Sequence, residues 1–234
     1  VYDTGSLRET FLPADLVVDA SGRDSQTPVW LTHLGYVPPM ESTVNAFPGY
    51  VTRIYQQPGN FNAPWKMLSI MPTAPTQARG GLILPLEGDR WQVTLLGMAK
   101  DYPATDEAAF LEFARSLPSL CLYEAIKEAE GLTAPTGYYR AENRLRAYAQ
   151  LPRYLEGFVV CGDAVCALNP FYCQGITVAM LGTLLLDTCL KEQRKRAPHG
   201  DLTGVAKRFQ KRLAAVIAAP WHMAIGQELG WSGG

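Results

Sequence analysis

The sequence has few of the features that mark metal-binding, disulfide-rich, nucleic-acid-binding and membrane-spanning proteins. Its five cysteines form no Cys-x-x-Cys pair and its three histidines stand at no metal-ligand spacing, so neither a zinc site nor a disulfide framework is indicated. The net charge of −1 provides no basic field for nucleic acid. The most apolar run, 176–190, contains Thr, Gly and Asp and is too short to span a bilayer. We therefore expect reduced thiols and a cytoplasmic protein, with no metal, nucleic acid or integral membrane segment.

The composition is that of a globular protein. At 234 residues, 47% apolar and 18% charged, the chain is long enough for one sizeable core or two small ones. Residues 1–10 have the pattern of a β-hairpin around Gly5, and residues 230–234 form no closing element. We expect the sequence to be part of a longer protein.

The hydrophobic pattern of the first residues differs from that of residues 50–98, which predicts an α/β (α+β) fold with two kinds of sheet. The apolar run 16–18 ends in small residues, as in a parallel strand buried on both faces. Four strands joined by short turns then predict an antiparallel sheet: 50–56, 65–71, 81–86 and 91–98, with a hairpin turn at 87–90. Another strand is predicted at 135–144. A boundary near 36–45 divides the two patterns.

Helices are predicted from apolar spacing, caps and breakers. They cover 28–34 up to Gly35, 105–117 up to Pro118, 119–130 with Ser119 as cap, and 176–193. A basic linker follows over 191–199, and Asp201 caps an amphipathic helix that Pro220 ends. These boundaries predict four segments: 1–42, 43–150, 151–200 and 201–234.

Some charged and polar residues allow two interpretations. Arg140, Arg144 and Arg146 could meet an anionic ligand, although a solvated edge is the commoner explanation. The basic face of the last helix could meet a membrane surface, but a solvated face is favoured because the chain is nearly neutral. Each of the three histidines is far from the other candidate site residues in sequence, which favours structural roles.

The stretch 157–176 carries the clearest signal of a ligand site. A strand ending in Gly162 and Asp163 places a carboxylate at the carboxyl end of a sheet, where it can accept hydrogen bonds from a polyol. Gln174, Gly175 and Ile176 open a helix whose free amide groups favour an electron-rich atom. Asn169-Pro170 makes the connecting loop rigid.

This arrangement resembles the second FAD-binding motif of the flavoprotein monooxygenases related to para-hydroxybenzoate hydroxylase. The resemblance is carried by Gly-Asp-Ala at 162–164, Asn169-Pro170 and Gln174-Gly175, and residues 16–23 are similar to the family strand beside the ADP half of FAD. It implies that Asp163 binds the ribityl chain. Pro170 and Gln174 would line the isoalloxazine ring, Gly175 and Ile176 would face its pyrimidine edge, and Gly22 and Arg23 would lie beside the ADP half.

The resemblance further implies a partial Rossmann-like FAD-binding domain and a substrate domain whose antiparallel sheet is covered by helices. The implied reaction hydroxylates or epoxidises an apolar or aromatic small molecule through a flavin C4a-hydroperoxide, with FAD as cofactor and NAD(P)H as reductant. No catalytic side chain is predicted. Alternate members of Trp91, Val93 and Leu95 are candidates for the pocket.

The sequence departs from the family pattern in two ways. No GxGxxG motif follows an N-terminal strand, so we expect this chain alone to bind FAD poorly and to be inactive. Cys173 stands where the family often has Gly, so the residue either accepts a strained backbone or shifts the loop. Three alternatives stay open: a reductase similar to polyprenyl reductases, a halogenase, and a non-enzymatic binding domain. The choice of NADH or NADPH and the oligomeric state are left undecided.

Overall fold

The structure is a computed structural model that describes residues 2–3, 5, 8–59 and 61–231. The chain divides into two compact units. The first unit comprises residues 1–42 and 144–222, and the second comprises residues 43–143 and 223–234.

The strands are β1 (Tyr2–Asp3), β2 (Arg8–Glu9), β3 (Val17–Asp19), β4 (Glu41–Val44), β5 (Gly49–Gln56), β6 (Leu68–Ile70), β7 (Arg79–Leu86), β8 (Arg90–Gly97), β9 (Thr136–Tyr138), β10 (Asn143–Arg146), β11 (Phe158–Val160) and β12 (Cys166–Ala167). The α-helices are α1 (Thr27–His33), α2 (Glu107–Arg115), α3 (Cys121–Ile126), α4 (Gly175–Arg196) and α5 (Val205–Glu228). Within the described ranges the sheets have the strand orders β1-β2, β12-β10-β4, β11-β3 and β6-β7-β8-β5-β9.

The five-stranded antiparallel sheet forms the framework of the second unit. Its four predicted strands are present, although the one at 65–71 shortens to Leu68–Ile70. The predicted turn joins β7 to β8. Gly88 and Asp89 there have φ values of +73° and +52°, a conformation that Gly and Asp tolerate better than most residues.

The core of the second unit lies between one face of this sheet and helices α2 and α3. Val93 and Leu95 are fully buried and Trp91 is 2% exposed, and they share a cluster with Phe110 and Phe113. Their assignment to a ligand pocket is therefore wrong, because alternate positions on a strand share one face and this face carries the helices. The opposite face is half-buried, with a hydrogen bond between the hydroxyls of Thr52 and Thr94 (2.8 Å).

Two predicted elements of the second unit need correction, and the predicted start of a third is confirmed. Helix α2 starts after Asp106, at the predicted place, and Asp106 caps it by accepting a hydrogen bond from the Ala109 amide (3.0 Å). Helix α3, however, ends at Ile126 rather than 130. The predicted strand 135–144 is two strands in different sheets: β9 pairs with β5, and β10 pairs with β12. The chain leaves the first sheet after Tyr138.

In the first unit, β3 and β11 pair in parallel, as the sequence predicted for a parallel sheet. The prediction that β3 is buried on both faces is wrong. Val17 is 46% exposed and Val18 is 41% exposed, while Asp19 is buried. Within the described ranges β3 and β11 form a two-stranded sheet, and its faces leave both valines partly exposed.

The two long helices also differ from their predictions. Helix α4 extends to Arg196, through most of the predicted linker. Helix α5 begins at Val205, and Asp201 instead caps the preceding turn by accepting hydrogen bonds from Thr203. Pro220 lies inside α5, which continues to Glu228. The buried side chains of Phe209, Leu213 and Ile217 lie on one face of this helix, as its spacing predicted.

Strands β1 and β2 form the predicted hairpin, although Thr4, Ser6 and Leu7 of its turn lie outside the described residues, as do residues 232–234. Helix α1 begins one residue before its predicted start, and Gly35 follows its end with a φ of +75°. Among the described residues, no helix combines the length and the apolar character needed to cross a membrane.

Candidate functional site

The parallel pair β3 and β11 brings two predicted loops together. Val160 is in register with Asp19, and the Cys161 amide donates a hydrogen bond to the Asp19 carbonyl (2.9 Å). Because both strands end at the same edge, the loop with Gly22 and Arg23 begins beside the turn with Asp163. The carboxyl end of this small sheet is where the candidate site lies.

The side chain of Asp19 fixes the conformation of the first loop through hydrogen bonds. Its buried carboxylate accepts hydrogen bonds from the Ser21 amide (2.9 Å), the Ser21 hydroxyl (2.6 Å) and the Ser25 hydroxyl (2.5 Å), and also from the Thr27 hydroxyl. Burial acts to raise the pKa of Asp19, but these hydrogen bonds outweigh it and lower the pKa. These hydrogen bonds fix the turn of the loop at Gly22, whose φ is +82°.

Asp163 lies in the second loop, in a 3-10 turn over Gly162–Ala164 that directly follows β11. Gly162 has a φ of +60°, which suits glycine. Asp163 is half-buried, and burial raises the pKa of its carboxyl, while the positive charge of Arg23 opposes the increase. Arg23 and Asp163, predicted from separate motifs, are therefore close enough to interact electrostatically.

The helix that begins at Gly175 starts beside this carboxylate. A Cβ placed on Gly175 would lie 3.8 Å from Asp163 Oδ1, and one placed on Gly162 would lie 3.9 Å from the Ala179 Cβ. The helix opens at Gln174 and Gly175 as predicted, and Gln174, its N-cap residue, makes no side-chain capping bond. The first-turn amide groups of α4 have no partners within the helix and lie next to the turn that carries Asp163.

The loop between Asp163 and α4 is rigid for local reasons. Asn169 is fully buried, its side chain accepts a hydrogen bond from the Phe171 amide (3.1 Å), and Pro170 opens a short 3-10 helix. Cys173 ends that helix with φ +53° and ψ +27°, in the left-handed region. Of the two outcomes predicted for Cys173, acceptance of a strained backbone is the one observed.

The predicted residues are all at least partly accessible in the first unit. Asp163, Gly162, Gly22, Arg23, Gln174 and Gly175 are half-buried, and Pro170 and Ile176 are exposed. Asp163 supplies an acceptor for hydroxyl groups, α4 supplies amide donors, and Arg23 supplies a positive charge. This set of groups fits a ligand that carries both a polyol and anionic or electron-rich atoms, as FAD does. Their contacts with such a ligand stay a prediction.

Sequence reasoning missed the role of Arg146. A solvated edge was expected, but Arg146 is 5% exposed and donates hydrogen bonds to Glu41 and to the backbone carbonyls of Arg23 and Ala164. The cluster of three arginines was a usable signal. The pattern could not tell which arginine points inward, because that depends on how β10 pairs with β12.

The two buried cysteines near the site are not poised as nucleophiles. Cys161 and Cys166 are buried and free, and burial, with a smaller contribution from Asp163, raises the pKa of Cys166 to about 12. A thiol with such a pKa is almost wholly protonated at neutral pH, whereas the thiolate is the reactive form.

A comparison with protein-family models finds no match. Protein Rv3254 of Mycobacterium tuberculosis (strain ATCC 25618 / H37Rv) is 34% identical over 222 residues, which are 94% of this chain and 45% of that protein. The chain therefore spans less than half the length of this curated relative.

Solved structures resemble the chain in fold. The myxobacterial chondrochloren halogenase CndH, a variant of the FAD-dependent halogenases, has a TM-score of 0.64 at 17% identity, over 92% of this chain and 47% of its own. A variant of Klebsiella pneumoniae HpxO complexed with FAD has a TM-score of 0.63 at 13% identity, over 92% and 51%. The anhydrotetracycline hydroxylase OxyS of Streptomyces rimosus has a TM-score of 0.57 at 13% identity, over 92% and 39%. The chain has the mixed α/β fold found in FAD-binding flavoprotein monooxygenases and halogenases.

Proposed function

We propose that the protein is a flavin-dependent oxidoreductase, and more narrowly a monooxygenase that acts on an apolar or aromatic small molecule with NAD(P)H as reductant. The observation that carries this proposal is the meeting of three features at one sheet edge: the Asp163 turn, the Arg23 loop and the first turn of α4. The fold shared with FAD-dependent enzymes supports it.

Each of these groups has a distinct task toward FAD. Asp163 would accept hydrogen bonds from the ribityl hydroxyls, and Arg23 would offer a positive charge to the phosphate-bearing half. The first-turn amides of α4 would favour an electron-rich part of the ring, and Pro170 and Gln174 would line the ring. When bound, FAD would supply the redox chemistry, with NAD(P)H as the proposed reductant.

In this proposal the second unit is the substrate domain. The face of its sheet opposite helices α2 and α3 carries a row of small hydroxyls and aliphatic groups, in which Thr52 and Leu82 flank Thr94 in register. These residues are half-buried, which leaves part of their surface for a ligand. Such a face suits an apolar molecule with few polar groups.

Binding of FAD tests the cofactor assignment. In the full-length protein, titration of the apoprotein with FAD should show saturable quenching of flavin fluorescence. Asp163→Asn should weaken binding by about tenfold to a hundredfold, because hydrogen bonds to charged groups contribute about 1.5–3 kcal/mol. The control is Asp187→Asn, which removes an exposed carboxylate from helix α4, about three turns beyond its N-terminal end, and should leave the affinity unchanged. Equal affinities in all three proteins would contradict the assignment of Asp163.

Reaction with oxygen tests the narrower activity. The reduced holoprotein would be exposed to labelled oxygen with a panel of phenols and apolar aromatic compounds, with and without bromide or chloride. Transfer of one labelled oxygen atom to a product without halide supports a monooxygenase. A product that forms only with halide would identify a halogenase instead, and saturation of an isoprenoid double bond would identify a reductase.

A further inference from the structure

Arg146 connects the two loops of the candidate site through one side chain. The residue ends β10, and its three guanidinium nitrogens each donate to a different group. Nε donates to Glu41 Oε2 (3.0 Å), one terminal nitrogen to the Ala164 carbonyl (3.1 Å), and the other to the Arg23 carbonyl (3.2 Å). Every nitrogen of the planar group is therefore engaged.

The two carbonyls belong to the loops that carry the proposed FAD contacts. The first is in the loop with Gly22 and Arg23, and the second closes the 3-10 turn with Asp163. A guanidinium has a fixed planar shape, so its two terminal nitrogens define how far apart these carbonyls lie. The Arg146 side chain thus bridges the two loops.

Strand pairing and Glu41 fix the position of Arg146, and Val165, which directly follows the Asp163 turn, is one of the contacts. The Arg146 amide donates to the Val165 carbonyl (2.9 Å), and Leu145 is in register with Cys166 on β12. Glu41 holds Nε by an ion pair. The side chain is 6% exposed, so water is largely excluded from these bonds and they are stronger than bonds at the surface.

We infer that Arg146 is a positioning residue of the proposed FAD site, which sets the separation of the Arg23 loop from the Asp163 turn. This inference rests on the proposed function. It does not make Arg146 a ligand of the cofactor. The side chain contacts backbone atoms behind the loops, and its effect on binding passes through Arg23 and Asp163.

The decisive variant is Arg146→Lys in the full-length protein. Lysine keeps the charge but carries one nitrogen on a flexible stem, so it loses at least one of the loop bonds. We expect the dissociation constant for FAD to rise at least tenfold. Arg144→Lys is the matched control, since Arg144 lies on the same strand and also forms an ion pair with Glu41, and its effect should stay below threefold.

A double-mutant cycle separates positioning from a general structural role. If Arg146 acts through the Asp163 turn, Arg146→Lys should cost much less affinity in the Asp163→Asn background than in the wild type. A merely structural arginine would give the same fold loss in both backgrounds, and that result would overturn the inference. Wild-type affinity in Arg146→Lys would also overturn it.

A second variant and the affinity of the wild-type protein decide the cases that Arg146→Lys alone leaves open. Should Arg146→Lys fail to fold, Glu41→Ala leaves both loop bonds of Arg146 in place and removes the partner of its Nε, together with the ion pair to Arg144, from a side chain that is 41% exposed. It should weaken FAD binding several-fold, and unchanged affinity would refute the positioning role. A wild-type protein that binds no FAD would overturn the proposed function and this inference together, whereas normal wild-type binding with unaffected variants overturns the inference alone.

Discussion

Cys173 offers a sharp test of how the loop before α4 is built. It is exposed, its φ is +53°, and its thiol makes only a long contact with the Phe171 carbonyl (3.9 Å). The side chain therefore contributes little to packing, while the backbone conformation is one that glycine adopts without steric cost. Replacing Cys173 by Gly should stabilise the protein.

The expected size follows from two opposing terms. Removing Cβ relieves about 1–2 kcal/mol of left-handed strain. Glycine in turn loses about 0.5–1 kcal/mol more conformational free energy on folding. The net gain is about 0.5–1 kcal/mol, which corresponds to a rise in Tm of roughly 1–4 °C for a chain of this size.

Thermal unfolding of the apoprotein, followed by circular dichroism, measures this change. Cys121→Gly is the matched control, because Cys121 is also exposed but begins helix α3 with ordinary helical geometry. Glycine there should lower stability by about 0.5 kcal/mol. If both variants lowered Tm by similar amounts, the left-handed strain assigned to Cys173 would be refuted.

Two further changes test the site and the sheet. Burial raises the pKa of Asp163, so its stabilising contribution is complete below the unfolded-state pKa, about 3.9, and is lost as pH rises through the higher folded-state value. Asp163→Asn should therefore raise the Tm of the apoprotein at pH 7 but not near pH 3, and equal shifts at both values would contradict the raised pKa. In the second unit, a Cβ on Gly97 would overlap the Asp101 carbonyl, whereas one on Gly226 in α5 meets open space. Urea unfolding should show that Gly97→Ala is strongly destabilising and that Gly226→Ala is stabilising by about 0.5–1 kcal/mol, and a Gly97→Ala variant as stable as the wild type would refute the overlap.

The elements that the sequence predicted correctly are those whose cause is local. The turn between β7 and β8 needs two residues that tolerate positive φ, and Gly88 and Asp89 stand side by side there. Asp106 is followed by apolar residues at helical spacing, which marks the start of α2. In both cases the physical reason lies within a few residues of the feature, so a single sequence contains it.

The predictions that failed needed information from distant residues. Pro220 was expected to end α5, since proline removes one backbone donor, but the helix continues because packing of its apolar face outweighs that loss. The valines of β3 were expected to be buried, and an apolar run does not reveal how many strands its sheet contains. Arg146 and Arg23 are separated by 123 residues, so no local pattern could pair them.

Two unfavourable local features lie together at the predicted edge of the first unit, although non-glycine residues with positive φ also occur in the second unit, at Phe47, Asp89, Ala99 and Lys100. The same short segment contains a carboxyl group whose ionised form is disfavoured by burial, Asp163, and a non-glycine residue in a left-handed conformation, Cys173. Neither feature improves the stability of the apoprotein. Natural proteins keep such features mainly where a binding partner uses them, because hydrogen bonds from a ligand can offset the cost of an ionised, half-buried carboxylate. If FAD is that ligand, its binding should favour the ionised form of Asp163. The affinity for FAD should then fall as pH decreases through the folded-state pKa of Asp163, and this dependence should disappear in Asp163→Asn.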